Sequence, residues 1–192
     1  MKKIIVATNN LGKLKEIRAI LDNYEVISLK DLNLSVDIVE DGKTFKENAL
    51  KKAREVFKIT KIPAIADDSG LCINVLEGFP GINTARFLGN NASDNDRNNY
   101  ILEKLKDKKE LERKAEVVCD IAYVDEKNEY VVEGVIKGKI TYRKRGNNGF
   151  GFDSIFELEN GKTLAELEEY EKNNVSSRKI ALEKLKIILE DT

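Results

Sequence analysis

Histidine is absent from the 192 residues of the sequence. Its absence excludes Ser-His-Asp and Cys-His catalysis, and it excludes any metal site with histidine ligands. A catalytic base must therefore be a carboxylate, a lysine, a tyrosine or a cysteine. A bound metal ion would have to be held by oxygen atoms, which favours magnesium or manganese.

Cysteine clusters, an excess of one charge and long apolar runs are also missing. The two cysteines, Cys72 and Cys119, fit no zinc-binding spacing, so we expect small buried hydrophobic side chains and no disulfide. Lys and Arg number 33 against 34 for Asp and Glu, which argues against a nucleic-acid or membrane partner. No apolar run approaches the roughly 20 residues of a membrane span. The first apolar run stops at Asn9 and Asn10, so we expect no signal peptide and a cytoplasmic protein.

What the sequence does contain is an alternation of short apolar strands and amphipathic helices, which is typical of an α/β fold. The predicted strands are residues 3–8, 24–29, 64–66, 117–124, 130–140 and 154–157, the fourth and fifth forming a hairpin. The predicted helices are residues 11–21, 44–60, 93–106 and 178–189. Because there is no internal repeat or low-complexity linker, we expect residues 1–192 to form a single domain.

The first candidate for chemistry is the segment between the first strand and the first helix. It consists of Thr8, Asn9, Asn10, Leu11, Gly12 and Lys13. A helix N-terminus offers free backbone N–H groups and a positive dipole end, so it attracts phosphate, and Lys13 adds a full charge. The alternative interpretation is an ordinary asparagine cap with Lys13 in solvent.

The second candidate is acidic. Glu40 lies in a loop, and Asp67 and Asp68 follow a predicted buried strand. Neighbouring carboxylates at a strand end are costly unless a cation or hydrogen bonds compensate, so a magnesium site is one interpretation. Because Asp-Asp-Ser-Gly is also good turn chemistry, a plain turn is the other.

Two further segments can bind a flat ligand. Gly149 and Gly151 flank Phe150, which leaves a face of the aromatic ring free for a base; a glycine hinge is the alternative. Arg178 opens the last helix and offers a planar hydrogen-bonding fork, although an arginine in such a position is more often solvated.

Taken together and in this order, these segments resemble the inosine triphosphate pyrophosphatase family, which removes non-standard purine nucleotides. The resemblance covers the whole chain. Its most specific pieces are Ala66-Asp67-Asp68-Ser69-Gly70, Phe79-Pro80-Gly81 with Ala85-Arg86, Gly149-Phe150-Gly151-Phe152-Asp153, Lys172, and Ser176-x-Arg178.

The resemblance implies an α/β fold that is elongated and two-lobed, with a long mixed β-sheet flanked by helices and an active cleft between the lobes. It implies a homodimer. It further implies hydrolysis of purine nucleoside triphosphates such as ITP, dITP and XTP to the monophosphate and pyrophosphate, with Mg²⁺ as cofactor and Mn²⁺ as a substitute.

The resemblance also implies roles for individual residues. Those expected to contact phosphate are Thr8, Asn9, Asn10, Leu11, Gly12, Lys13, Lys52 and Lys172. Glu40 and Asp68 would hold the metal ion, and Asp68 would accept the proton of the attacking water with Ser69 beside the substrate. The nucleoside would meet Phe150, Gly151, Phe152 and Asp153, with Phe150 stacked on the base, and Ser177 and Arg178 would lie at the purine edge.

The sequence departs from the family pattern at Asn9, at Ser154 and at Ser177, where relatives carry glycine, proline and histidine. The third departure bears on selectivity. Arg178 only donates hydrogen bonds, so it satisfies the 6-carbonyl of hypoxanthine but meets the amino group of adenine donor to donor. We therefore expect a preference for ITP over ATP that depends on Arg178 and is weaker than in relatives with histidine.

Three other functions compete with this one. The first is an enzyme that hydrolyses pyrimidine or modified nucleotides such as dUTP. The second is a nucleotide-binding protein that does not turn its nucleotide over. The presence of Lys13, Glu40, Asp68 and Lys172 argues against the second of these. A nucleic-acid-binding module fits poorly with the balanced charge.

Overall fold

The chain begins with a β-α-β unit, as its alternation of apolar and amphipathic segments predicts. The structure, a computed structural model, describes residues 1–8, 10–36 and 38–190. Strand β1 (Lys2–Val6) leads into helix α1 (Leu11–Ile20), which returns the chain to strand β2 (Tyr24–Ser28). β1 and β2 run parallel, with Lys2 opposite Tyr24 and Val6 opposite Ser28. A helix between two parallel strands is the usual crossover, because parallel strands cannot be joined by a tight turn.

The sheet has six strands in the order β2-β1-β3-β4-β5-β6. The other strands are β3 (Ala64–Ile73), β4 (Lys114–Val124), β5 (Glu129–Ile140) and β6 (Phe156–Glu157). β1 pairs in parallel with β3, whereas β5 and β6 pair antiparallel. The sheet is therefore mixed, as predicted.

Helices flank the sheet, and two of them begin at capping residues that the sequence indicates. The helices after α1 are α2 (Phe45–Thr60), α3 (Asp94–Lys104), α4 (Glu169–Val175) and α5 (Ser177–Glu190). The Thr44 side chain accepts a hydrogen bond from the Glu47 amide at the start of α2, and Ser93 and Asp96 form a reciprocal capping box at the start of α3. Such caps satisfy backbone N–H groups that have no partner within the helix.

The chain forms two compact units, each with its own core. Unit 1 comprises Met1–Ser69, Cys119–Gly134 and Ser177–Thr192, and unit 2 comprises Gly70–Val118 and Val135–Ser176. The largest buried cluster of unit 1 includes Ile4, Ile17, Leu21, Ile121, Leu182 and Leu185. That of unit 2 includes Leu71, Ile73, Leu105, Ile140 and Phe156. Each fully buried aliphatic or aromatic side chain contributes about 1.5–3 kcal/mol, so these clusters hold each unit together.

Gly134 lets β5 and the first turn of α5 approach closely within unit 1. A Cβ atom at this position would lie 1.9 Å from the carbonyl oxygen of Ser177 and 2.7 Å from the amide nitrogen of Ala181. Only glycine fits such a contact, because both neighbouring atoms belong to the backbone and cannot rotate away. The start of α5 is thus fixed by direct backbone packing on β5.

Some predicted boundaries are wrong. The third strand does not end at Ala66, because β3 continues to Ile73 and includes Asp67 and Asp68. Helix α4 was not predicted; its residues carry many charges and, among those described, none is buried, so no apolar stripe marks it. Both cysteines are free. Cys119 is buried as expected, whereas Cys72 is only partly buried.

Candidate active site

Helix α1 presents its N-terminus directly after β1, and Asn10 caps it. The Asn10 Oδ1 atom accepts hydrogen bonds from the Gly12 amide at 2.9 Å and the Lys13 amide at 3.1 Å. Thr8 Oγ1 in turn accepts from the Asn10 amide at 3.1 Å, while Leu11 is largely exposed. The predicted asparagine cap is present. The residue between Thr8 and Asn10, Asn9, lies outside the described residues.

Lys13 is held by a carboxylate and does not extend freely into solvent. Its Nζ atom lies 2.9 Å from Oδ2 of Asp67. The capping interpretation and the charged-site interpretation therefore both describe part of this segment. Asn10 satisfies two amides of the helix start, and Lys13 places a full positive charge beside β3.

Asp67 and Asp68 are consecutive residues of β3 with different partners. Asp67 is an ion-pair partner of Lys13 and Arg178, whereas Asp68 accepts a hydrogen bond from Asn48 Nδ2 at 2.9 Å. Successive side chains of a strand point to opposite faces, which explains the separation. Both carboxylates are buried, at 2% and 8% exposure. The interpretation of this segment as a plain turn is wrong, because the strand continues through it.

The pKa of Asp67 is held well below its ordinary value. Burial raises this pKa, but the charges of Lys13, Arg178 and Lys52 outweigh the burial effect. Its side chain is therefore ionised at neutral pH and holds the neighbouring cations. The pKa of Asp68 is shifted the other way: burial raises it, and the opposing effects of Lys52 and Asn48 are smaller. A carboxylate with a raised pKa binds a proton more readily, which suits a general base.

Glu40 and Lys52 form an ion pair next to these strand residues. The Lys52 Nζ atom donates to Glu40 Oε1 at 2.5 Å and to the carbonyl oxygen of Asp67 at 2.7 Å. Lys52 lies on α2, one turn after Asn48. Helix α2 therefore supplies a partner to Glu40, to Asp67 and to Asp68.

The donor set around Asp68 fits a magnesium ion better than a softer metal. Within the described ranges 1–8, 10–36 and 38–190, no three His, Cys, Asp or Glu side chains converge into a metal-binding group. Mg²⁺ usually needs only one or two carboxylates, with water and substrate phosphates completing its shell. The charge of Glu40 also raises the pKa of Asp68, which is a repulsion that a divalent cation would relieve. The two carboxylates of Glu40 and Asp68 therefore fit the coordination that Mg²⁺ prefers.

Arg178, the second residue of α5, is 8% exposed and pairs with two carboxylates. Its Nη1 atom donates to Glu16 Oε2 at 2.6 Å, and its Nη2 atom donates to Asp67 Oδ2 at 3.0 Å. The Ser69 hydroxyl lies 3.4 Å from Nη2. The alternative of a solvated arginine is wrong. Ser177 is buried beside it.

Unit 2 carries the aromatic candidate, which we call the Phe150 cluster: Phe150, Asp153 and Lys172. Asp153 Oδ2 accepts from Lys172 Nζ at 2.6 Å and from the Phe150 amide at 2.9 Å. The Lys172 Nζ atom lies 4.5 Å from the centroid of the Phe150 ring, a cation–π distance. The ring itself is 49% exposed. One face of Phe150 is thus supported by a lysine that a carboxylate holds in place.

Gly149 and Gly151 are also required by the structure of the loop itself. Gly149 adopts a φ of 78°, and a Cβ there would lie 2.0 Å from Asp153 Oδ2. The Gly151 amide donates to Asp94 Oδ2 at 2.8 Å, and its carbonyl oxygen accepts from Asn98 Nδ2 at 2.8 Å. The loop is therefore tied to α3 on both sides. Phe152 is partly buried and packs against the core of unit 2, with its ring centroid 6.4 Å from that of Phe156.

Three residues that support the site are not marked by any of the motifs in the sequence. Asn48, Asn98 and Glu16 are buried polar residues on helices α2, α3 and α1. A signal for them existed, because each lies on the apolar face of its helix. A polar residue in such a position needs a specific partner to offset its burial.

The fold and the site place the chain among α/β proteins with a mixed sheet in which a central strand carries two buried carboxylates, one of them ion-paired with a lysine and an arginine. Comparison with known proteins narrows this class. The chain belongs to the Ham1 family, whose model matches residues 4–188.

Relatives and solved structures agree over nearly the full length. The chain is 45% identical over 196 residues to a dITP/XTP pyrophosphatase of Clostridium perfringens, covering 97% of this chain and 96% of that protein. It is 45% identical over 190 residues to a dITP/XTP pyrophosphatase of Geobacter sulfurreducens, covering 97% and 96%. A Ham1 protein of Staphylococcus aureus superposes with a TM-score of 0.91 at 38% identity, covering 99% of both chains. A HAM1 protein of Coxiella burnetii gives 0.92 at 38% identity over 100% of both. The resemblance found in the sequence is confirmed.

In the part of the chain that the structure describes, no helix is both long and apolar enough to cross a bilayer.

Proposed function

We propose that this protein hydrolyses non-standard purine nucleoside triphosphates, namely ITP, dITP and XTP, to the monophosphate and pyrophosphate. The observation that carries the proposal is the arrangement of two consecutive buried carboxylates on β3: Asp67 is ion-paired with Lys13 and Arg178, whereas Asp68 is held by the side-chain amide of Asn48. Full-length relatives named dITP/XTP pyrophosphatase support the choice of substrates.

Lys13 and Lys52 supply the positive charge that a triphosphate requires. Both are largely buried and are fixed by hydrogen bonds or ion pairs to β3. A lysine that is already oriented costs little reorganisation when a phosphate arrives, and it acts in a site with reduced dielectric screening. The neighbouring residues Thr8, Asn9, Asn10, Leu11 and Gly12 would add backbone and side-chain donors to the same phosphates.

Asp68 acts as the proton acceptor in the proposal. A water oxygen bonds to phosphorus, the bond between the α and β phosphates breaks, and the water proton passes to the Asp68 carboxylate. Asn48 orients that carboxylate through its 2.9 Å hydrogen bond, and the Ser69 amide donates to the other oxygen at 3.1 Å. Phosphoryl transfer depends on such positioning and on charge neutralisation more than on covalent catalysis.

Glu40 and Asp68 would hold Mg²⁺, or Mn²⁺ in its place. When bound, such an ion neutralises phosphate charge and lowers the pKa of a coordinated water. Lys52 keeps the Glu40 carboxylate in place through the 2.5 Å hydrogen bond between the two side chains.

The Phe150 cluster is assigned to the nucleoside. The half-exposed Phe150 ring offers a stacking surface for a purine, and Lys172 and Asp153 keep that ring in place. Gly151 and Phe152 shape the same loop. Arg178, with Ser177 beside it, is assigned to the purine edge, where its donors suit a 6-carbonyl. We place the reaction in the cytoplasm and expect a homodimer.

The test is a panel of triphosphates in the presence of magnesium, with pyrophosphate and monophosphate measured together. The panel contains ITP, dITP, XTP, ATP, GTP and dUTP. We expect equal amounts of pyrophosphate and monophosphate from ITP and XTP, and much slower turnover of ATP. Release of orthophosphate would contradict the assigned bond, and dUTP as the best substrate would contradict the assigned base.

A further inference from the structure

Helix α3 holds the backbone of the loop that carries Phe150. The Gly151 amide donates to Asp94 Oδ2 at 2.8 Å, and the Gly151 carbonyl oxygen accepts from Asn98 Nδ2 at 2.8 Å. Asp94 and Asn98 lie one turn apart, so their side chains share a face of the helix. The residue that follows Phe150 therefore has both of its backbone polar groups bound to one helix.

Asn98 is the buried member of this pair. It is 4% exposed, whereas 56% of the Asp94 side chain is exposed. Its Nδ2 atom also donates to the hydroxyl oxygen of Ser154 at 3.3 Å. A carboxamide NH₂ group has two donors, and here both find an acceptor on the same loop, one on each side of Asp153. A buried amide whose donors are both bound has one preferred orientation.

Ser154 is a position at which the chain departs from the family pattern, because relatives carry proline there. Proline fixes its own φ and so stiffens a turn without an outside partner. Serine leaves that dihedral free, but its hydroxyl gives Asn98 a second acceptor. In this chain the turn is therefore restrained through a side chain of α3.

Hydrogen bonds rather than packing hold the loop at Gly151. This residue adopts a φ of 61°, in the left-handed region, and a Cβ atom built there would meet no atom of the described residues within 4 Å. A glycine in open space has a wide choice of backbone conformations. Because Phe150 directly precedes Gly151, the direction of the aromatic ring depends on the conformation that the two bonds to α3 select.

We infer that Asn98 is a positioning residue for nucleotide binding: together with Ser154, it fixes the loop that presents the Phe150 ring to the base. The inference rests on the proposed function, because it takes the Phe150 ring as the surface on which the purine stacks. Asn98 itself does not need to touch the nucleotide. A ring that is ordered only when the nucleotide binds lowers affinity, because the cost of ordering is subtracted from the binding free energy.

The first measurement is the kinetics of ITP hydrolysis by Asn98→Ala. We expect KM to rise about fivefold, the scale of one lost hydrogen bond. The value of kcat should stay within about twofold of the wild type, because at saturating nucleotide the ring is already stacked. A fall in kcat with an unchanged KM would contradict a role in binding.

A matched control is Asn99→Ala, the same chemical change at the next residue of α3. The exposed Asn99 side chain accepts from Lys144 Nζ at 2.9 Å. This variant should keep the wild-type KM. Thermal melting checks that every variant folds. If Asn98→Ala does not fold, the exposed Asp94→Ala takes its place, because it removes the other bond to Gly151 and should raise KM in the same way.

The second measurement follows the ring itself. The chain contains no tryptophan, so Phe150→Trp places a single indole at this position. Without nucleotide, addition of Asn98→Ala should lower the fluorescence anisotropy of that indole, because a released loop moves on the nanosecond timescale. Addition of Asn99→Ala should leave the anisotropy as it is. A merely structural role for Asn98 would lower the melting temperature and change neither KM nor the anisotropy.

Failure of the proposed function would look different. In that case the wild type would release no pyrophosphate from any purine triphosphate. The anisotropy needs neither turnover nor nucleotide, so it then decides by itself whether Asn98 orders the ring. An unchanged anisotropy, or a KM that rose equally in Asn98→Ala and Asn99→Ala, would overturn the inference.

Discussion

Lys13 and Arg178 contact the same atom, Oδ2 of Asp67, at 2.9 and 3.0 Å. The two cations come from the N-terminal turns of α1 and α5, at opposite ends of the chain. One buried carboxylate therefore fixes a cation assigned to phosphate and a cation assigned to the base. These contacts hold both cations in place, and charges with fixed positions stabilise a phosphate at low reorganisation cost.

Replacement of Asp68 by asparagine should remove the proton acceptor and leave the fold in place. We expect kcat for ITP to fall at least ~10²-fold, the usual scale for a positioned base. Stability should not fall, since burial disfavours the charge of Asp68. The measurement is pyrophosphate release at saturating ITP alongside a thermal melt. Asp22→Asn, which breaks a surface pair with Lys186, is the control and should keep wild-type turnover. Near-normal turnover of Asp68→Asn would refute the assignment.

Removal of divalent metal should abolish the activity. The proposed ligands, Glu40 and Asp68, are oxygen donors, which favour hard cations. We expect EDTA to stop pyrophosphate release, magnesium to restore it and manganese to substitute. Zinc should not be the best activator, since the chain has no histidine and its Cys119 thiol is buried. Full activity in EDTA would contradict a metal-dependent mechanism.

Asp67 should stabilise the protein in a way that depends on pH. Its folded pKa is depressed below the ordinary 3.8. Its contribution is therefore complete above that value and is lost as pH falls through the lower folded pKa. We expect Asp67→Asn to cost about 3–5 kcal/mol near neutral pH, because Lys13 and Arg178 lose their shared buried partner. In acid the difference from the wild type should shrink.

Denaturant unfolding between about pH 7 and about pH 3 measures this difference. Asp41→Asn, which breaks an exposed pair with Lys51, is the comparison and should change stability little. A gap between wild type and Asp67→Asn that stayed constant down to the lowest pH would show that the Asp67 pKa is not depressed.

The ionised Asp120 carboxylate should destabilise the folded protein, in contrast to that of Asp67. This buried residue of β4 has a pKa raised to about 6 by burial and by the charges of Glu133 and Asp68. The folded state then keeps a proton that the unfolded chain releases, so stability falls as pH rises from the ordinary 3.8 to about 6. Asp120→Asn should be the more stable protein above that range, by on the order of 1–3 kcal/mol, and equal to wild type in acid.

The same unfolding experiment, repeated at several pH values, decides this prediction. A loss of stability in Asp120→Asn at neutral pH would mean that the carboxylate has a favourable partner after all.

Element types and the candidate motifs were predictable from the sequence, because apolar periodicity and capping residues are local signals. The end of β3 was not predictable, because Asp67 and Asp68 are polar residues typical of a turn. They are kept in the strand by partners distant in sequence, namely Lys13, Asn48 and Arg178. Glu16 could not be predicted as a site residue for the same reason, because its partner Arg178 is distant in sequence and lies on α5. Local patterns predict elements, whereas a buried ion pair depends on tertiary contacts.

The close approach at Gly134 has a consequence for variation within the family. Any side chain at this position would push back the first turn of α5, and that turn carries Arg178. A substitution at Gly134 would therefore displace the arginine that we propose reads the purine edge. Sequences that keep every site residue but lack glycine at the equivalent of position 134 should be examined for altered base preference.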